Sequence, residues 1–143
     1  MQGRMEQREL ANLAAEMAIH GKDRDDPARE VMGLLGDRWS TLILLVLGTG
    51  AFRHAELRRT LAQLSSEQAI SQRVLTLKLR TLERDGFVAR AVTGDVPPKV
   101  SYRLTPLGAD LHTQARALID WINARAAAIH TARARFDQAE DNA

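Results

Sequence analysis

The spacing of apolar side chains predicts a largely helical chain. Leucine, alanine and methionine recur at helical spacing over 5–20, and leucines do so again near 53–63. A short helix is expected over 27–36, because an aspartate-proline pair precedes the pattern and a glycine ends it. Residues 39–47 are apolar on nearly every side, which indicates a buried helix. The first half of the chain is therefore expected to be helical throughout, with short polar breaks.

The second half predicts another helix, a β-hairpin and a long final helix. The helix over 71–84 places three leucines on one face, namely Leu75, Leu79 and Leu82. Residues 87–92 and 99–104 alternate as strands do, and a turn-rich tip joins them. A threonine-proline pair then begins a helix that is expected to run over 106–135.

This order of elements is the winged helix-turn-helix arrangement, a mostly α fold with a small β-hairpin. We expect residues 26–105 to form a DNA-binding domain of this kind, between a helical extension over 1–25 and a helix and tail over 106–143. The final helix has too few neighbours in one chain to cover its apolar stripe. Both terminal segments are therefore predicted to be dimerisation helices. The residues expected at the dimer interface are Leu10, Leu13, Met17, Leu111, Leu118, Ile122 and Ile129.

Composition is that of one globular domain of 143 residues, with 45% hydrophobic and 27% charged side chains. The longest apolar run, 42–47, is far too short to span a membrane, and the first residues lack the apolar region of a secretory signal. We therefore expect a cytoplasmic protein with no membrane partner. The chain has no cysteine, which excludes disulfides, thiolate metal sites and thiol redox chemistry.

Positive charge is concentrated in the middle of the chain. Residues 71–103 carry seven basic and three acidic side chains, whereas 1–30 and 104–143 each have more acidic than basic side chains. Seventeen of the 20 basic residues are arginine, which makes better forked contacts with phosphate and guanine than lysine does. This pattern fits a nucleic-acid footprint, and charge alone does not separate it from a solvated surface.

The helix over 71–84 is the expected reading element, because the second helix of a helix-turn-helix lies in the major groove. Arginine pairs with guanine, glutamine pairs with adenine, and methyl groups contact thymine. The predicted base-reading residues are Gln72, Arg73, Thr76, Leu77 and Arg80. The residues expected to contact the DNA backbone, including those on the wing hairpin, are Arg58, Arg59, Ser71, Arg84, Arg90, Lys99 and Arg103.

Catalytic and metal chemistry find no support in the sequence. The four histidines lack metal-ligand spacing, and neither a glycine-rich phosphate loop nor a nucleophile motif occurs. We therefore expect no enzyme activity, no metal and no cofactor. A small-molecule effector stays open, and the aromatic residues considered for its pocket are Trp39, Trp121 and Phe136.

Between residues 26 and 122 the chain resembles the HxlR-type winged helix-turn-helix regulators of bacteria. Matching stretches are LGDRW at 35–39, ISQRVLT at 70–76 and LRTLERDGFVAR at 79–90. The most specific stretch is VPPKVSYRLTPLG at 96–108, which is close to the wing signature of that family. The resemblance implies a homodimeric DNA-binding transcription factor that acts on an inverted repeat. A repressor is the favoured form, because simple dimers of this size mostly act by occupying promoters.

Two features depart from the pattern of that family. Many members carry a cysteine before the proline of their first core helix and sense oxidants with it, whereas this chain has Asp26 before Pro27. Thiol switching is therefore excluded for this chain, and Asp26 is expected to keep a capping role. The connection over 61–69 is longer than the short turn usual in the family, and the sequence does not decide what this changes.

Two other function classes stay open at this point. One is a protein-interaction module that uses the winged fold without DNA. The other is a small-molecule-responsive regulator of the MarR type, which shares the wing. Salt dependence separates a DNA-binding protein from an interaction module, because each neutralised phosphate adds to the salt sensitivity of binding.

Overall fold

A computed structural model describes residues 2–66 and 69–143. In that part of the chain the helices are α1 (Gln2–His20), α2 (Pro27–Gly36), α3 (Arg38–Leu47), α4 (His54–Leu64), α5 (Gln72–Arg84), α6 (Pro106–Ala124) and α7 (Ala126–Asp141). The strands are β1 (Phe52–Arg53), β2 (Val88–Val92) and β3 (Val100–Leu104). The predicted fold class, mostly helical with a small β element, is confirmed. Within the same residues, no helix has the length and apolar character needed to cross a membrane.

The chain divides into two compact units, one ending at Thr41 and the other beginning at Leu42. In the first unit, α1 is exposed along its described length. Helix α2 begins at Pro27 as predicted, but the carboxylate of Asp26 does not cap it. That carboxylate instead accepts the N–H of Asp23 at 3.0 Å. The predicted capping role of this side chain is therefore wrong, because the preceding turn engages the carboxylate.

In the second unit, α4, α5 and the part of α3 that begins at Leu42 each bury an apolar face in the core. Fully buried large side chains of this core are Ile43, Leu44, Leu57, Leu61, Leu75, Leu79 and Leu82. Each contributes about 1.5–3 kcal/mol through the removal of apolar surface from water. The three leucines predicted on one face of α5 are all buried, so the opposite face of α5 is turned to solvent.

The hairpin predicted over 87–92 and 99–104 is present as β2 and β3. Strand β1 pairs antiparallel with the other edge of β3, so the sheet has the order β1-β3-β2. The sequence pattern does not predict β1, because two residues are too few to show alternation. Arg90 pairs with Tyr102 across the hairpin, and Ala89 pairs with Arg103. Because side chains alternate along a strand, Arg103 lies on the face of the sheet opposite to Tyr102.

The prediction of one helix over 106–135 is wrong, since α6 and α7 are separated at Arg125. The φ of −114° and ψ of 9° at this residue are not helical. In a continuous helix the carbonyl of Trp121 would accept the Arg125 N–H. Here that carbonyl accepts the Arg125 guanidinium at 3.1 Å, and the guanidinium lies 4.3 Å from the centre of the Trp121 ring. The Arg125 guanidinium thus bonds the carbonyl that the backbone N–H of Arg125 would bond in a continuous helix.

The connection between α4 and α5 is hydrogen-bonded to a side chain of α4. Of the stretch predicted as unusually long, 61–69, Glu67 and Gln68 lie outside the described residues. Ile70, which follows it, is buried. The Ile70 carbonyl accepts a hydrogen bond from Nε of Arg58 at 2.9 Å. Arg58 therefore helps to define where α5 begins.

Candidate nucleic-acid interface

Helix α5 buries one face and turns the other to solvent. The hydroxyl of Ser71 accepts the N–H of Val74 at 3.1 Å, which caps the first turn as predicted. Of the predicted base-reading residues, those that are exposed are Gln72, Arg73, Leu77 and Arg80. Thr76 is half-buried. Four of the five side chains assigned to base reading therefore lie where a duplex could reach them.

A shallow groove lies between α4 and the start of α5. Its polar lining comes from Arg58, Arg59 and Gln72, alanines form the rest, and its volume is about 320 Å³. Arg59 is exposed, whereas Arg58 is half-buried and bonded to the connection before α5. The first N–H groups of a helix carry partial positive charge, so the two arginines reinforce an electropositive end of α5. Such a site suits a DNA phosphate.

A second concave surface, here called the wing groove, lies between α5 and the hairpin. It is lined by Thr76, Arg80, Glu83, Arg90 and Tyr102, and its volume is about 400 Å³. Arg80 and Arg90 supply positive charge from the helix and from the wing respectively. Glu83 is absent from the sequence-based assignment, because a single carboxylate in a basic block has the pattern of an ordinary solvent-facing charge.

The wing tip is closed by two hydrogen bonds. The N–H of Lys99 donates to Oγ1 of Thr93 at 3.0 Å, and the N–H of Thr93 donates to the Lys99 carbonyl at 2.9 Å. The exposed Lys99 side chain is thereby attached to a defined turn. Arg103, which was assigned to the wing contacts, is exposed on the other face of the sheet from Arg90.

His54 connects three elements next to the wing groove. It is the first residue of α4, and its Nε2 lies 3.0 Å from Oγ1 of Thr76 on α5. Its ring centre lies 6.4 Å from that of Tyr102 on β3. Burial, followed by the charge of Arg58, lowers the pKa of His54 below its ordinary value of 6.5. The sequence presents His54 only as one of four scattered histidines, because contacts between distant residues leave no local pattern.

The lowered pKa of His54 predicts a loss of stability in mild acid. Below pH 6.5 the unfolded chain binds a proton at this imidazole that the folded chain resists, so unfolding becomes more favourable as the pH falls. We expect the melting temperature to fall between about pH 7.5 and about pH 5.5, and to fall less in His54→Gln. An NMR titration of His54 with a midpoint at or above 6.5 would contradict this prediction.

Residues predicted at the dimer interface lie at the surface of a single chain. Those that are exposed are Leu10, Leu13 and Met17 in the first unit, and Leu118 and Ile122 in the second. Leu111 and Ile129 are half-buried in the second unit. Apolar side chains therefore remain uncovered on α1 and on α6, and the dimer itself stays a prediction.

The aromatic residues considered for an effector pocket occupy different settings. Trp39 is half-buried in the first unit. Trp121 and Phe136, in the second unit, are 53% and 65% exposed. An effector pocket formed by these residues stays a prediction. Across residues 2–66 and 69–143, no cluster of histidine, aspartate or glutamate side chains is arranged to hold a metal ion.

A family model described as HxlR-like helix-turn-helix matches residues 34–130, which is most of the chain. The chain belongs to the HxlR-like helix-turn-helix family. It is therefore an HTH-type transcriptional regulator, and the resemblance inferred from the sequence motifs is confirmed. The HxlR-like match includes α4, α5 and the wing, which are the elements that form both grooves.

Individual relatives of this HxlR-like protein agree with that assignment. The HTH-type transcriptional regulator YtfH of Escherichia coli (strain K12) is 41% identical over 96 residues, which cover 67% of this chain and 71% of the relative. The transcriptional regulator ytfH from Salmonella typhimurium superimposes with a TM-score of 0.64 at 36% identity, over 78% of this chain and 94% of that one. The redox regulator HypR in its reduced form has a TM-score of 0.64 at 32% identity, over 73% and 98% of the two chains.

Proposed function

We propose that this protein is a homodimeric repressor that binds an inverted-repeat operator through a pair of α5 helices. The observation that carries the proposal is the exposed polar face of α5 with arginines on both sides. Arg58 and Arg59 line the groove at its start, and Arg80 and Arg90 line the wing groove. A helix flanked in this way can enter the major groove while its neighbours contact the adjacent phosphates.

The residues have two kinds of role in this proposal. Side chains that reach base edges supply sequence preference, and we assign this role to Gln72, Arg73, Thr76, Leu77 and Arg80. Side chains that neutralise or bond phosphates supply affinity without sequence preference, and we assign this role to Arg58, Arg59, Ser71, Arg84, Arg90, Lys99 and Arg103. The exposure of most of these side chains supports both assignments.

Dimerisation is proposed to use the terminal segments, 1–25 and 106–143, with the DNA-binding domain over 26–105 between them. The support is apolar surface that a single chain leaves uncovered. Leu10 is 67% exposed on α1, and Trp121 is 53% exposed on α6. Exposed apolar surface of this kind on helices marks an interaction site, and a second copy of the chain presents a matching stripe.

The mode of action is proposed to be promoter occupancy without a thiol switch or catalysis. A sequence without cysteine has no thiol to oxidise, and Asp26 stands where many family members carry the sensing cysteine. This separates the chain from the neighbour named as a redox regulator. Binding to chromosomal DNA places the proposed action in the bacterial cytoplasm.

Replacing Leu118 by aspartate is expected to weaken the dimer. Leu118 is 45% exposed in the single chain and lies on the stripe assigned to the interface. A buried charge at the centre of an interface raises the dissociation constant by roughly 30-fold or more. Sedimentation velocity over a concentration series measures the change. Ala109→Asp, on an exposed position of the same helix and on the side opposite to Leu118, is the matched control. Equal dissociation constants for both variants would argue against the interface.

Selection of bound fragments from the host genome, followed by a salt titration on the selected sites, tests the proposal. The logarithm of the binding constant should fall with the logarithm of salt concentration, with about −0.9 of slope for each phosphate neutralised. Hydrogen exchange should show protection on DNA binding within residues 71–103. Flat salt dependence would favour the interaction-module alternative, and protection that avoids 71–103 would remove α5 and the wing from the interface.

A further inference from the structure

The hydroxyl of Thr76 makes a different bond from those of three other helical threonines. Thr60, Thr81 and Thr113 each donate Oγ1 to the carbonyl four residues earlier in their own helix, at 2.9, 3.1 and 3.2 Å. A helical threonine commonly makes this bond, which is why it divides between two side-chain rotamers. The hydroxyl of Thr76 instead lies 3.0 Å from Nε2 of His54. A side chain of α4 therefore selects the rotamer of a residue on α5.

His54 is itself held in place by its neighbours. Its ring tilts at 59° to that of Tyr102, with 6.4 Å between the ring centres, and Tyr102 is only 8% exposed. Both of its partners, Thr76 and Tyr102, line the wing groove. His54 thus contacts two of the residues that shape this groove.

Thr76 stands one helical turn before Arg80, and both line the wing groove. In the proposed function this face of α5 meets base edges. A threonine can offer a base either its hydroxyl or its methyl group. Because the hydroxyl is directed at His54 on α4, the methyl group on the same Cβ is directed away from His54 and is the part of Thr76 that can meet a base. A methyl group favours thymine through contact with its C5-methyl.

We propose that His54 is a positioning residue that sets the base preference of Thr76. It holds the Thr76 hydroxyl so that the methyl group faces the duplex, and the operator has a thymine preference at the matching position of each half-site. This inference rests on the proposed function, since it requires α5 to read DNA. His54 itself contacts no DNA in this proposal and acts through Thr76.

Binding-site selection with four full-length proteins tests the inference. The wild type should prefer thymine at one position per half-site. His54→Phe keeps an aromatic ring beside Tyr102 but has no ring nitrogen, so the preference at that position should fall by roughly tenfold while the other positions are unchanged. His54→Gln, whose amide can reach Thr76, should restore it. Thr76→Val, which keeps a methyl group without needing the hydroxyl bond, should retain the thymine preference.

Two further measurements distinguish loss of the positioning role from a general loss of folding or of DNA binding. Each of the four proteins should unfold in one cooperative thermal transition, and the salt dependence of binding should be the same in all four, because the assigned phosphate contacts are unchanged. If His54→Phe does not fold, His54→Asn replaces it, since asparagine is polar as histidine is and is too short to reach Thr76.

The outcomes distinguish the inference from the proposed function. A wild-type protein without sequence preference overturns both. A wild type with a thymine preference that His54→Phe or His54→Asn leaves unchanged overturns the positioning role of His54 and leaves the proposed function in place. If His54→Phe loses the thymine preference and His54→Gln does not restore it, the positioning role of His54 is also overturned. The bond to Thr76 would then not be the cause of the thymine preference.

Discussion

Replacing Gly108 by alanine is expected to destabilise the protein by about 3 kcal/mol. Gly108 is buried in the first turn of α6. A Cβ at this position would overlap the carbonyl oxygen of Phe87, and would lie 2.9 Å from the carbonyl carbon and 3.2 Å from the Cα of the same residue. These are backbone atoms, which cannot rotate away as the end of a flexible side chain can. The start of α6 would therefore have to move.

Movement of α6 has a further cost, because hydrogen bonds join it to the residues after α5. The Phe87 carbonyl accepts the N–H of Thr105 at 3.0 Å, and the Gly86 carbonyl accepts the Thr105 hydroxyl at 2.5 Å. The same hydroxyl oxygen accepts the N–H of Gly108 at 3.0 Å. A shift large enough to admit a methyl group would strain all three bonds, and each is worth about 1 kcal/mol.

Thermal unfolding followed by circular dichroism measures the effect, which corresponds to a fall in melting temperature of roughly 10 °C. Gly33→Ala is the matched control. Gly33 is in the interior of α2, and outside its chain neighbours and the local helix backbone no atom lies within 4 Å of the position that a Cβ would take. Alanine is favoured over glycine inside a helix by about 1 kcal/mol, so this variant should be slightly more stable than the wild type. Equal melting temperatures for Gly108→Ala and the wild type would contradict the packing described here.

Arg73→Ala is expected to weaken binding to the selected operator by about 1–3 kcal/mol and to relax base preference at one position per half-site. Arg73 is exposed in the first turn of α5, the end of a recognition helix that meets base edges. A guanidinium can bond the O6 and N7 of guanine together, so its removal penalises the guanine-containing site more than other sites. Fluorescence anisotropy on the operator and on a scrambled duplex measures the two affinities.

Lys99→Ala is the control for Arg73→Ala. Lys99 is exposed at the base of the wing tip, where an ammonium group attracts phosphate without reading sequence. This variant should weaken binding to the operator and to the scrambled duplex by the same factor, and should reduce the salt slope by about one phosphate. If the two variants change affinity and preference in the same way, the division into reading and backbone roles is wrong.

Sequence patterns predicted those parts of the proposed DNA interface that depend on contacts between residues close together in the chain. The leucine spacing of α5 is enough to place Leu75, Leu79 and Leu82 inside, because burial of one face orients a whole helix. The Ser71 cap is visible for the same reason, since it is a contact between residues three apart. The hairpin is predicted by alternation and by its turn-rich tip. In each case the determining contacts lie within one or two helical turns or across one short loop.

Contacts between residues far apart in the chain could not be predicted from local sequence patterns. His54 and Thr76 are 22 positions apart, and nothing near either residue predicts that they meet. One contact between near residues was missed as well. The helix predicted over 106–135 is interrupted at Arg125, whose guanidinium bonds the carbonyl of Trp121, four residues earlier. Periodicity counts apolar positions and carries no information about which donor a carbonyl accepts.

The sequence by itself determined the succession of core helices and hairpin, the family, the buried face of α5 and the basic character of the segment that follows Ser71. These depend on local spacing, on short motifs and on charge, which the chain carries in any conformation. Only the tertiary structure decided that β1 joins the wing, that His54 contacts Thr76 beside the wing groove, and that Gly108 must lack a side chain. The physical reason is that each of these depends on atoms brought together by the packing of separate elements.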